Sequence, residues 1–189
     1  MVKSNSLQDL YVEQLQDLYS AENQLIKVLP KMVEAATSDE LRTAIEEHLE
    51  KTKQHAARLE KIFSRIGESA KGAKCKGMEG LLEEGSEVIE DDEMEEEVKD
   101  AAMIAAAQRV EHYEIAGYGC VRTYATLLGD RESAALLEQT LEEEKEADET
   151  LTEIAEQINV EAVGAEAEEE EEEVSNRRKT SGRRSKPAA

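Results

Sequence analysis

The chain has 189 residues, enough for one domain and a tail, and its 45 Asp and Glu against 23 Lys and Arg give a formal charge of −22. That charge argues against nucleic-acid binding by the folded part. Aromatic content of 3%, no Trp and two Pro exclude a turn-rich sandwich or barrel and leave a core of Leu, Ile, Val, Ala and Met in long helices.

The N-terminal Met-Val-Lys-Ser-Asn-Ser passes directly into an amphipathic pattern without an apolar leader. The first helix is expected from Ser6 to Ala36, with Leu7, Leu10, Tyr11, Leu15, Leu18, Leu25, Leu29 and Val33 on its apolar face. Pro30 lies inside it and should kink or loosen it locally. Thr37-Ser38-Asp39-Glu40 reads as a stop and a fresh N-cap. The second helix runs to Ile66 and buries Leu41, Ile45, Leu49, Leu59, Ile62 and Phe63.

Gly67, Gly72 and Gly77 mark a loop, and Met78 to Glu90 a short helix. The acidic run Asp91 to Glu97 is expected to open the third long helix, where negative charge suits the helix dipole. That helix reaches Leu128 and stops at Gly129; the fourth spans Arg131 to Ile158. Two hairpins joined by one long connection predict an all-α, ferritin-like four-helix bundle with a crossover carrying the short helix. The domain is assigned to residues 1–164. Residues 165–189 hold seven acids followed by six bases and almost no apolar side chains, which predicts a disordered charged tail.

Polar groups occupy the core phase of every long helix. Glu22 falls among Leu15, Leu18, Tyr19, Ile26 and Leu29, and His48 among Leu41, Leu49, Thr52 and Leu59. Glu111 shares a stripe with Ile104, Ala107 and Tyr118, and Glu144 with Leu137, Leu141, Asp148 and Leu151. Burying several carboxylates together is costly without a positive partner, and few basic residues lie in the core phase, Arg122 near the end of the third helix being the best candidate. Two iron or manganese ions are the natural compensator for such oxygen and imidazole ligands. The expected metal ligands are Glu22, His48, Glu111, Glu144 and Asp148, with Thr52, Glu114 and His55 as weaker candidates. Tyr19 and Tyr118 are placed to relay an electron. His55 and His112 lie off the central stripe and read more readily as ordinary histidines; Glu142, Glu143 and Glu146 read as surface charge.

Tyr19-Ser20-Ala21-Glu22-Asn23-Gln24-Leu25, His48-Leu49-Glu50, Met78-Glu79-Gly80-Leu81, Arg109 to Ala116 and Leu141-Glu142-Glu143-Glu144-Lys145 together resemble the YciE/YciF family of ferritin-like stress proteins. The resemblance spans Ser6 to Val160. It implies a rubrerythrin-like bundle, a homodimer and a role in stress responses. One departure concerns the metal pattern: no Glu stands three residues before His48, His55 or His112, and the inward pairs His48/Thr52 and Glu144/Asp148 are four apart.

Three functions compete on this reading. The first is a di-metal protein acting on peroxide or dioxygen, or handling iron; the second is a metal-free helical dimer serving as an interaction module. The third, a nucleoid-associated protein, depends on the basic tail alone. With no leader and no bilayer-spanning stretch, a cytoplasmic location with no membrane partner is expected. Cys75 and Cys120 have no metal-type spacing and read as reduced thiols.

Overall fold

The computed structural model describes residues 6–182, with side chains described through residue 164. Among the described residues there are five helices and no strand: α1 (Leu7–Ala35), α2 (Asp39–Ile66), α3 (Lys76–Glu90), α4 (Glu96–Leu127) and α5 (Arg131–Gly182). The described part of α5 contributes to the core as far as Ile158, and Val160 and Val163 face outward. The charged tail expected over 165–189 lies outside the described side chains, and 183–189 lies outside the described residues.

Local chemistry sets the helix ends. Ser6 and Ser38 cap α1 and α2 by accepting from the backbone N–H groups of Asp9 and Leu41. Gly67 and Gly129 take the left-handed conformation, φ 73° and 81°, that ends α2 and turns α4 into α5. Buried Asp100 of α4 accepts from Thr37 N (3.0 Å), Thr37 Oγ1 (2.7 Å) and Ser38 N (2.7 Å), stitching the α1–α2 turn to the third long helix. Helix α1 runs through Pro30 without a break.

The acidic run does not open α4 as expected. Asp91 ends α3, its carboxylate accepts from Glu93 N at 2.9 Å, and α4 starts only at Glu96. An Asp that satisfies a nearby backbone N–H in a turn competes with helix propagation.

Side-chain pairs give the directions. Asp17 meets Tyr113 and Thr37 meets Asp100, so α1 and α4 are antiparallel. Arg58 meets Glu143 and Arg65 meets Asp130, so α2 and α5 are also antiparallel. The ring order is therefore α1, α2, α5, α4, with α1 and α5 pointing one way and α2 and α4 the other. The link between α2 and α4 must travel the length of the bundle, and α3 packs on α1 and α4 along the way. This is the ferritin-like connectivity.

The core falls into two apolar sections. Leu25, Leu29, Leu41, Ile45, Met103, Ile104 and Leu151 belong to one. Tyr11, Leu15, Leu18, Leu59, Ile62, Val121, Leu137 and Leu141 belong to the other. Between them in chain position on each long helix lies a layer of buried acids and histidines.

Candidate metal centre

Every long helix contributes to that layer. Helix α1 supplies Glu22, α2 His48 and His55, α4 Glu111 and Glu114, and α5 Glu144. One ligand atom each from His48, Glu111, Glu114 and Glu144 lie within 4.8 Å of one another, as do atoms from Glu22, His55 and Glu144. Glu144 is common to both groups. All four glutamates and His55 are buried, and the His48 side chain is 11% exposed.

The internal contacts are close but incomplete. His48 Nε2 lies 3.3 Å from Glu111 Oε1, and His55 Nδ1 lies 3.0 Å from Glu144 Oε1 and 3.7 Å from Glu22 Oε1. The His55–Glu144 contact is not aligned for a hydrogen bond, and both oxygens of Glu114 and of Glu144 are buried without a hydrogen-bond partner. Glu22 Oε2, Glu111 Oε2 and His48 Nδ1 share that condition. Leaving so many buried polar atoms unpaired is expensive, and they converge on one place.

Electrostatics follow from burial. Desolvation, reinforced by Glu144, pushes Glu22 up to about 8. Burial and the neighbouring carboxylates hold Glu111 and Glu114 well above the usual carboxylate range. Burial pushes His48 down. Burial alone would also depress His55, but Glu144, Glu22 and Glu143 outweigh it and lift the imidazole to about 9. Tyr118 donates its hydroxyl hydrogen to Glu22, and burial followed by that carboxylate drives the phenol upward.

A supporting layer orients His55. Its Nε2 lies 2.9 Å from Glu143 Oε2, and Arg58 grips Glu143 with bonds of 2.5 and 2.9 Å. Although burial opposes it, the Arg58 fork leads the hydrogen bonds that bring Glu143 down to about 2. Imidazoles that bind metals characteristically have such a carboxylate behind them.

The sequence-expected residues separate in space. Glu22, His48, Glu111 and Glu144 come together, joined by Glu114 and by His55, which had read as an ordinary histidine. Asp148 stands outside, accepting from Gln108 at 3.2 Å and facing exposed His112 at 3.6 Å. Thr52 is buried but directs its hydroxyl to the His48 carbonyl at 2.8 Å. Tyr19 points away, donating to Glu60 at 2.6 Å, so of the two tyrosines only Tyr118 touches the cluster. Arg122 pairs with Glu138 at the periphery. Glu143, expected as surface charge, lies behind His55; Glu142 and Glu146 do pair with surface lysines. The signal for His55 was present: Thr52-x-x-His55 keeps the register of Glu-x-x-His with threonine in the first place. Arg58 follows His55 by three residues and lies on the same side of α2.

The sequence signature of a family described as a domain of unknown function, DUF892, matches residues 6–164. The chain belongs to the DUF892 family. Protein YciF of Escherichia coli (strain K12) is 47% identical over 151 residues, 79% of this chain and 90% of that protein. The crystal structure of the E. coli stress protein YciF matches with a TM-score of 0.79 at 45% identity, covering 82% of this chain and 97% of that one. A DUF892 chain thus has YciF as a homologue in both sequence and fold. YcfI of Rhodopseudomonas palustris matches with a TM-score of 0.76 at 38% identity, covering 80% and 97%. A protein of Xanthomonas campestris pv. campestris matches at 0.68 and 26%, covering 86% and 99%. Among the described residues no helix is long and apolar enough to cross a membrane.

Proposed function

We propose that this YciF homologue is a stress-response protein holding two iron or manganese ions in its central polar layer and acting on a small oxidant such as peroxide or dioxygen. The observation that supports this most is the pair Glu114 and Glu144, each with both carboxylate oxygens buried and without a hydrogen-bond partner. Four buried carboxylates, Glu22, Glu111, Glu114 and Glu144, carry four negative charges when ionised, and two divalent cations neutralise four. Protonation is the alternative, and burial together with the neighbouring carboxylates favours it by raising Glu22, Glu111 and Glu114.

The donor set suits the group. Carboxylate oxygen and imidazole nitrogen favour iron and manganese over soft-ligand metals. His48, Glu111 and Glu114 would hold one ion, Glu22 and His55 the other, with Glu144 shared between them. Two such ions, if bound there, would supply redox chemistry toward a small oxidant.

The chain's own residues do the remaining work. Arg58 fixes Glu143, and Glu143 fixes the His55 ring so that Nδ1 faces Glu22 and Glu144. Tyr118 holds Glu22 and stands ready to carry a proton at its hydroxyl. The two apolar sections on either side keep water from Glu22, Glu114 and Glu144, which are fully buried, and strengthen the electrostatic contacts there.

Metal analysis of protein purified without chelators, with anomalous scattering at the iron and manganese edges, tests the proposal. Two ions per chain among these six residues are expected. Failure to take up either metal after anaerobic reconstitution would sink it.

A further inference from the structure

Di-metal bundles of this connectivity take a Glu-x-x-His pair from each of two helices. In this chain both pairs are half-filled. Helix α2 carries Thr52-Lys53-Gln54-His55, and α5 carries Glu144-Lys145-Glu146-Ala147. The two substitutions have different structural results. Thr52 is fully buried and bonded to its own helix. Ala147 instead lines a cavity of about 60 Å³ that reaches His48 and Glu111. Space stands where the second imidazole of the pattern would be.

The walls of this cavity are largely apolar: Leu29 and Met32 from α1, Ile45 from α2, Ala107 from α4 and Leu151 from α5. Glu47, Thr150 and Lys51, the last paired with Glu146 at 3.8 Å, form its polar outer edge. A second cavity of about 30 Å³, under α3, converges on the same His48 and Glu111. Glu22 and His55 line neither cavity. Their end of the layer is closed by Tyr118 on one side and by the Arg58–Glu143 pair on the other.

We infer, resting on the two-ion reading above, that the Ala147 cavity admits a small uncharged molecule to the His48–Glu111 end of the cluster alone, leaving the Glu22–His55 end closed to it. Size and charge set the ligand class. A volume of about 60 Å³ holds only a few small molecules of water size and falls far below a drug-sized pocket. The buried carboxylates repel anions, and the His48–Glu111 end that a cation would seek is the ion position itself, so the free space beside Ala147 is left to uncharged molecules. A neutral molecule of two to four atoms is what remains, and dioxygen and hydrogen peroxide belong to that class. The consequence is an asymmetric centre. One ion position is open to an incoming molecule, and the other keeps only protein ligands, the distinction that separates open from closed metal sites generally.

Two measurements on the full chain test this. Crystals of chelator-treated protein are pressurised with xenon, an apolar probe that needs no metal. Xenon is expected between Leu29, Ile45, Ala107 and Ala147 in the wild type, and to be lost in Ala147→Leu and, separately, in Ala107→Leu. Anaerobic titration of the Fe(II)-loaded protein with nitric oxide supplies the second reading. One nitric oxide per pair of irons is expected in the wild type, with binding weakened by roughly tenfold or more in each variant while iron stoichiometry stays the same. Xenon missing from the wild-type cavity, or nitric oxide binding unchanged in both variants, overturns the inference. A wild type that holds xenon there but takes up no iron overturns the two-ion reading instead, so the two failures are distinguishable.

Discussion

His55 Nδ1 lies 3.0 Å from Glu144 Oε1, joining α2 to α5 in the middle of the bundle, yet the two atoms are not aligned as a hydrogen bond. Glu144 also completes the His48–Glu111–Glu114 group, so a single side chain belongs to both halves of the polar layer.

Glu144→Gln is therefore expected to lose both ion positions at once. A ligand present at a hundredfold excess over its Kd stabilises a fold by about 2.7 kcal/mol, and the wild type should show a gain of that order with Fe(II) or Mn(II). The variant should show none, and its metal-free form should itself be less stable than the wild type, because the buried His55 imidazolium loses its partner 3.0 Å away. Thermal melts with and without metal decide the matter. An equal rise in both proteins would remove Glu144 from the centre.

The metal-free protein should become less stable as pH rises. Glu22 moves from 4.5 to about 8 on folding, so the folded state binds the extra proton over that interval. Its favourable contribution is complete below pH 4.5 and lost as pH climbs through about 8. His55, raised from 6.5 to about 9, acts in the same sense, with a contribution complete below 6.5 and lost through about 9. Metal displaces these protons, so the gap between loaded and metal-free melting temperatures should widen from pH 6 to pH 9. A gap that stays constant over that range would contradict the exchange of protons for metal.

Arg58 supports the centre without belonging to it. Arg58→Met frees Glu143 and with it the ring of His55. Loss of the charged hydrogen bonds should cost about 1.5–3 kcal/mol. Metal affinity should fall by roughly tenfold or more through loss of the supporting layer. Glu143 is held at about 2 against an ordinary 4.5, so its share of stability is complete above pH 4.5 and lost as pH falls through about 2. Urea midpoints of wild type and variant should differ at pH 7 and converge toward pH 2. An unchanged Kd for metal in Arg58→Met would reduce this pair to a purely structural role.

Truncation after Gly164 should leave the thermal midpoint and the metal content unchanged. Ile158 is the last buried residue among those described, and Val160 and Val163 are 71% and 68% exposed. The family match ends at the same residue, 164. Calorimetry and metal analysis on the shortened chain provide the check; loss of either property would place residues 165–189 within the folded unit.

The long helices were legible because their signals are local. Leu15, Leu18, Leu25 and Leu29 mark one face of α1 by spacing alone, and Gly67 and Gly129 end α2 and α4 by a backbone preference that needs no partner. The N-caps at Ser6 and Ser38 are equally local. Even the choice of Glu22, His48, Glu111 and Glu144 followed from acids and a histidine standing in apolar stripes. The start of α4 was less legible because Asp91 can serve a turn or a helix equally well, and only the competing bond to Glu93 N decides.

What the sequence by itself determined is each residue's azimuth on its own helix, and so the helices, the hairpins and the presence of a buried polar layer. Only the tertiary structure decided where each azimuth points. Helix α4 is packed by α1, α3 and α5, so its buried arc is wide enough to hold both Glu111 and Glu114, which stand roughly 60° apart at 3.6 residues per turn. Asp148, roughly 40° round from Glu144 on α5, is turned instead to Gln108 and His112 at the rim. His55 enters the layer and Tyr19 leaves it because neighbouring helices, not their own, offer Glu144 to one and Glu60 to the other. The space beside Ala147 has the same origin. A small residue leaves a cavity only where the three facing helices fail to fill it, and that depends on contacts far apart in the chain.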